Sequence, residues 1–466
     1  MTNIICGTIR KIKKFYFSFD VDKKILTIQP IKMNDHISFL SELDFSDFPY
    51  FKDYADLEGE TNTHAYIKFI NIKFSSIGRG CFKAWVPAYI LGITNDIYPI
   101  SKPNKINKLV FKGECIDRFS SSKSIVSSKW DRDNSKLQVN LDYGEDKIKK
   151  FFYKNLEFNL IPGWRMINNQ NDVNTFLTTK TLLTIKSEKT LKINSIIKIY
   201  REVQKLFSFI CYRQHVEFDS IILNQIEPIK FGDNIRDTII SFELHISADD
   251  DKYDLPKVGK TMILKDYVGR IPKLIQCLCD DEFMLLSFPS NSLTESIIDN
   301  NKYISISSAF ESEFNLLNPK FKSFRKKKYS EAKIATLNYL INQKDNVEKY
   351  NRQTRNYFED LYKFIDDCEG RLEEKIMHAL ETYSYIVEPE RGFFINKNPD
   401  IDFSNCSLAK AFTDKRNNLS HGSKLEKFKK IEIASYSIIR KINYAMILER
   451  AGFNKIQIRE IIKQVL

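Results

Sequence analysis

Near residue 295 the hydrophobic pattern of this 466-residue chain changes period, and that change limits what the chain can fold into more than any other feature. Upstream, apolar residues come in short or alternating runs: IICGTI, YIKFINIKF, KLVFKGECI, KLQVNLDY, SIILNQIEPIKF and IISFELHI. A period of two marks a strand with one buried face, and polar stretches such as SSSKS (120–124) and DDDKYD (249–254) read as the turns between strands. Helical segments interrupt the runs at 194–212 and near 271–287. Downstream the spacing becomes three or four residues, the period of a helix. The expected fold class is α+β: a mainly β N-terminal domain over 1–295, then an all-α helical bundle domain over 296–466.

Within the second part, positions from Tyr350 through Leu361, Leu372 and Tyr383 to Ile386 hold one helical phase and predict a single long helix, with Gly370 as a bend. Pro389, Gly392 and Pro399 predict a loop after it. A helix over 406–420 should bury Leu408, Phe412 and Leu419. Ser423 with Glu426 three residues on has the form of a capping box, so the next helix should open there and bury Ile431, Ala434, Ile438 and Ile442. A short helix is expected over 454–465.

A chain of this length fits two or three domains rather than one core. Its 42% hydrophobic and 13% aromatic residues exclude a disordered protein. The apolar start is too short for a signal peptide, and no stretch has the uncharged length of a membrane span, so a soluble, cytoplasmic protein with no membrane partner is expected. Eight scattered cysteines without CxxC spacing predict buried free thiols rather than disulfides or a zinc site; no metal or cofactor is implied. The net charge is +12, and from Lys320 onward 29 Lys and Arg face 20 Asp and Glu. Most of the basic surplus thus lies in the helical part, which invites a polyanionic partner.

That same part holds DKRNNLSHG, residues 414–422. With Gly422 closing one helix and Ser423 opening the next, His421 would sit at a helix-to-helix corner. Asn417 and His421, four apart, share a helical face, and Arg416 is rotated by about 100° from Asn417. An imidazole can move protons near neutral pH, and a guanidinium offers a rigid fork of donors to phosphate oxygens. Attack of an RNA 2′-OH on its neighbouring phosphate needs both, with Asn417 to orient either group, and needs no metal. The bland reading is a polar helix end that satisfies its own backbone. Arg371 and His378, a second Arg and His seven apart, read as an ordinary solvated helix face. SIGRGC (76–81) lacks phosphate-loop spacing and reads as a turn; His215 and His245 have no partners at ligand or triad spacing; FYFSF and FFY read as core.

The string DKRNNLSHG resembles the signature of HEPN-domain ribonucleases: Arg, a polar residue often Asn, three more residues, then His followed by Gly. More narrowly, the chain resembles the ApeA-like bacterial anti-phage proteins, which join an N-terminal mainly β domain to a C-terminal HEPN bundle. Within YISISSAFESEFNLL (303–317), Ala309, Phe310 and Glu311 match that family's apolar pair and Glu, with Phe310 where Leu is usual. The resemblance implies a metal-independent endoribonuclease with Arg416, His421 and Asn417 as catalytic residues and Glu311 as a helper. It implies RNA as substrate, tRNA first among them, a phage-derived trigger sensed by the N-terminal domain, and two HEPN domains meeting in a homodimer. The alternative is a non-catalytic helical module that binds RNA or a partner protein.

Overall fold

The computed structural model describes residues 3–9, 15–30, 55–78, 81–93, 102–120, 126–131, 136–141, 147–168, 175–231, 234–246, 254–257, 259–264, 267–281, 283–321, 327–346, 349–366, 372–421 and 427–466. They form two compact units, Met1–Cys211 with His215–Pro272, and Tyr212–Gln214 with Lys273–Leu466. The division thus falls at Pro272, ahead of the change of period near 295, because the helices that follow Pro272 already pack with the later ones. The first unit is mainly β and the second helical, an α+β chain.

In the first unit, strands β1 (Ile4–Ile9), β2 (Phe15–Asp20), β3 (Ile25–Pro30), β4 (Ala55–Thr61), β5 (Tyr66–Gly78) and β6 (Cys81–Trp85) close on themselves. In the order β5-β4-β1-β2-β3-β6 each strand is antiparallel to the next, and β6 returns to the second half of β5. Alternation explains the closure: Phe15, Phe17 and Phe19 are buried while Tyr16 between them is exposed. Phe17 and Phe19 both meet Phe69 edge-to-face at 5.3 Å inside the barrel. Gly7 is required there, since a Cβ would lie 2.0 Å from the Glu60 carbonyl oxygen of β4.

The other half of β5 continues the sheet through β7 (Ala88–Gly92), which with β8 (Ile106–Lys112) and five later strands extends it to thirteen. Strands β9 (Val126–Asp131) and β10 (Lys136–Leu141) form a separate hairpin. The remaining five are β11 (Lys149–Tyr153), β12 (Leu156–Asn168), β13 (Thr175–Ser187), β14 (Ser220–Phe231) and β15 (Asn234–Ile246), which joins β14 to β7. Two helices accompany the sheet: α1 (Glu114–Ser120), which takes the end of KLVFKGECI, and α2 (Ile193–Cys211). The turn stretches SSSKS and DDDKYD lie almost wholly outside the described residues. In SIGRGC, Gly78 of β5 pairs with Cys81 of β6, and Arg79 and Gly80 lie outside the described residues. In FFY, Phe151 and Tyr153 are buried and Phe152 is 62% exposed, again by alternation.

The second unit runs α3 (Ile271–Asp280), α4 (Phe283–Leu286), α5 (Ser292–Glu295), α6 (Asn300–Leu317), α7 (Lys327–Asp345), α8 (Arg352–Asp366), α9 (Leu372–Thr382), α10 (Ser384–Lys397), α11 (Asn405–Ser420), α12 (Lys430–Arg450) and α13 (Lys455–Val465). Helix α12 is buried over most of its length and packs against α6, α10, α11 and α13, which makes it the central helix. No described helix is long and apolar enough to cross a membrane.

The structure departs from four expectations. The single helix from Tyr350 to Ile386 is broken at Tyr383, between α9 and α10, and 367–371 lie outside the described residues; a 3–4 spacing persists across a break that keeps the phase, so it cannot count helices. Tyr383 forms the break between α9 and α10, held by its hydroxyl donating to Glu449 Oε2 at 2.5 Å. Pro389 and Gly392 lie inside α10 rather than in a loop, because Ile386 and Val387 are buried and Glu390 is tied to Lys441 and Ser437 of α12. The helix expected from Ser423 begins at Lys430, with Lys427–Lys429 non-helical; Ser423 and Glu426 lie outside the described residues, and Glu432 supplies the cap by accepting the Lys429 backbone N–H at 2.7 Å. No described cysteine is in a disulfide, but Cys6 and Cys406 are exposed whereas Cys115, Cys211 and Cys277 are buried. Cys368 lies outside the described residues.

Candidate functional site

Helix α11 starts at Ser404, whose hydroxyl caps the Ser407 N–H. It is seated by Leu408, Ala409 and Phe412, all buried; full burial of a ring like Phe412 contributes about 1.5–3 kcal/mol. Leu419 is half-buried. The helix stops at His421, which leaves helical geometry (φ −94°, ψ 9°) while its backbone N–H still reaches the Asn417 carbonyl at 3.1 Å. Arg416 and Asn417 therefore occupy the last turn and His421 its cap, with the imidazole exposed at the helix end. Ser420 steadies that turn by donating from Oγ to the Arg416 carbonyl at 2.9 Å. Gly422 is outside the described residues.

Arg416 is the hub of this corner. Its Nη1 donates to Asn417 Oδ1 at 3.2 Å, and its Nη2 lies 3.6 Å from Glu311 Oε2. Glu311 comes from α6, where Ala309 and Phe310 are fully buried and point the next residue to the surface. Both side chains of the pair stay about a third exposed, 37% for Arg416 and 32% for Glu311. Solvent screens such a pair, so its weight lies in aiming the guanidinium rather than in stability. Residues 105 positions apart thus meet, while His421 stands one helical turn beyond them. A phosphate at this corner would find a partly exposed fork of N–H donors, a carboxylate that aims it, and an imidazole.

The competing pair has a different setting. Arg371 lies outside the described residues, and His378 packs against Phe314 at 5.9 Å and Phe321 at 5.3 Å. His378 is thus part of an aromatic contact rather than of an open helix face. His245 likewise stacks on Tyr89 at 4.4 Å, and its Nε2 is 3.5 Å from Glu243.

Sequence reasoning passed over Lys415, which is buried. Its Nζ is 3.7 Å from Glu432 Oε2 and lies over the Phe428 ring at 4.7 Å. Phe428 stacks in turn on Tyr303, which stacks on Phe412. Lys415 thereby fastens the last turn of α11 to the segment entering α12. The signal was present: Leu408, Phe412, Lys415 and Leu419 are spaced 4, 3 and 4 apart, which puts Lys415 on the buried stripe.

Residues 18–227 match the family model of ApeA N-terminal domain 1. Over this segment the chain is ApeA-like. The matched segment runs from β2 into β14, so the ApeA assignment rests on the β unit and stops short of the helical one. No curated protein matches the chain, and no solved structure does. The match agrees with the ApeA-like resemblance carried by the sequence, and with it the anti-phage defence family.

Proposed function

We propose that this ApeA-like protein is a HEPN-type, metal-independent endoribonuclease effector of anti-phage defence that cleaves host RNA, with tRNA the first candidate. The observation that carries the reading is the Glu311, Arg416, Asn417 cluster beside the exposed His421 at one helix corner. In this mechanism the 2′-OH attacks the adjacent phosphorus, and the 5′ oxygen of the next nucleotide leaves. Arg416 stabilises the charge gathering on the non-bridging oxygens. His421 takes or gives a proton, Asn417 and Glu311 hold the guanidinium, and the products carry a 2′,3′-cyclic phosphate and a 5′-OH.

One corner supplies one imidazole, whereas the reaction removes one proton and delivers another. A homodimer with two helix corners facing across a two-fold axis would supply both, together with two guanidiniums. In this reading the ApeA-like β unit responds to a phage-derived trigger and restrains or releases the nuclease. Sequencing RNA 5′-OH ends after induction of the wild type and of His421→Ala tests the chemistry: new ends are expected with the first and none with the second. Equal ends from both would remove His421 from the reaction. Mixing wild-type chains with excess His421→Ala chains tests the dimer, since a composite site requires cleavage per wild-type chain to fall.

A further inference from the structure

Lys427, Lys429 and Lys430 are all exposed, on the stretch that enters α12. Lys429 has extended backbone (φ −72°, ψ 155°), and successive side chains of an extended segment point to opposite sides. Phe428 is the inward one, stacked on Tyr303 at 5.5 Å and covered by the Lys415 ammonium. Lys427 and Lys429 therefore project outward on either side of it, and Lys430 follows as the first residue of α12. The nearest described carboxylate along the chain, Glu432, is buried and already engaged. Its Oε2 accepts the Lys429 backbone N–H and faces Lys415.

The attachment matters as much as the charge. Lys415 and Arg416 are adjacent in α11, so the contact that seats Phe428 on Lys415 fastens the segment bearing the three exposed lysines to the helix turn that carries Arg416. A single guanidinium can grip one phosphate, but a strand that is to be cut must also be held beside the cut. Resting on the ribonuclease reading, we infer that Lys427, Lys429 and Lys430 form a phosphate-binding rail for the single-stranded RNA that flanks the scissile bond. The rail grips backbone phosphates, and it reads no sequence.

The test uses the full chain with His421→Ala, so that RNA is bound and not cut, and a short fluorescent single-stranded RNA titrated over a range of salt. Each lysine–phosphate contact on a single strand contributes about 0.7 to the slope of log K against log salt. Lys427→Gln, Lys429→Gln and Lys430→Gln together should lower that slope by about 2. Binding at low salt should weaken on the order of tenfold or more by the same relation, equally for RNAs of different sequence. The three Lys→Arg changes should keep both slope and affinity, and thermal unfolding should be unchanged in either set. An unaltered slope in the Gln variant, with RNA still bound, overturns the rail and leaves the ribonuclease reading standing. Failure of the His421→Ala chain itself to bind RNA overturns both. Displacement of the RNA by poly-glutamate at equal charge would mark the lysines as a dock for acidic proteins and overturn the assignment to RNA.

Discussion

Two glutamates of α6, two residues apart, each meet an arginine, and the two pairs have opposite settings. Glu313 is buried and grips Arg450 with both oxygens, at 2.6 and 2.8 Å. Arg450 donates further to the Cys277 carbonyl at 2.9 Å. Glu311 meets Arg416 at a single, longer distance, 3.6 Å, with both side chains partly in water. The same two residue types make an internal brace in one place and an accessible donor fork in the other. What differs is desolvation: Arg450 is only 13% exposed, with Nε and Nη2 bonded and Nη1 3.6 Å from Asp280 Oδ2, whereas Arg416 keeps 37% of its side chain in water. Arginine is thus a site candidate by exposure and unfinished bonding, not by identity.

The largest effect is expected where the brace is broken. Removing one partner of a buried, bonded ion pair costs about 3–5 kcal/mol, a large share of a domain's stability. Arg450→Ala should therefore lower the denaturant midpoint of the helical unit sharply and abolish activity with the fold. At the open corner the effect should be confined to chemistry. His421→Ala and Arg416→Ala should each reduce RNA cleavage by about 10²–10⁴-fold, the range for a proton-transfer or charge-stabilising group. Unfolding should shift by about 0.5 kcal/mol or less, as for other surface substitutions. Glu311→Gln should cost less, several-fold in cleavage, because it loosens the aim of Arg416 without removing it.

A third carboxylate extends the comparison to pH. Burial raises the pKa of Glu390, but the Lys441 ammonium and the Ser437 hydroxyl outweigh burial and hold it below the ordinary carboxylate range. A lowered folded-state pKa gives stability that is present above the unfolded value and is lost as pH falls through the folded one. Stability should therefore decline on acidification below about pH 4.5, and Glu390→Gln should make that decline shallower, as read from thermal unfolding at stepped pH. The smallest expected effect is none at all: excess EDTA should leave cleavage unchanged, while a 2′-deoxy substitution at the cut site should block it.

Much of the fold could be read from the sequence because alternation and 3–4 spacing report burial directly. SIILNQIEPIKF is β14 from end to end, and 454–465 falls within a residue of α13 and its cap. What failed was punctuation. Pro389 reads as a breaker, yet its helix survives on buried neighbours and on Glu390's bonds to α12; Tyr383 reads as one more apolar position, yet it ends a helix through a contact with Glu449. At the candidate site, the helix end at His421 was legible from local sequence. The approach of Glu311 to Arg416 was not, since no local pattern encodes a meeting across 105 residues; only the family resemblance pointed there. Lys415 was passed over, although its spacing from Leu408 and Phe412 places it on the buried stripe.

The most direct test sets cleavage against stability for the two arginines. Purified Arg416→Ala and wild-type chains, brought to the same activated state, are assayed for release of 5′-OH RNA fragments and for their unfolding midpoints. The account predicts an Arg416→Ala protein with a wild-type midpoint and cleavage reduced by at least about 100-fold. A stably folded Arg416→Ala chain that still cuts RNA at the wild-type rate would contradict it.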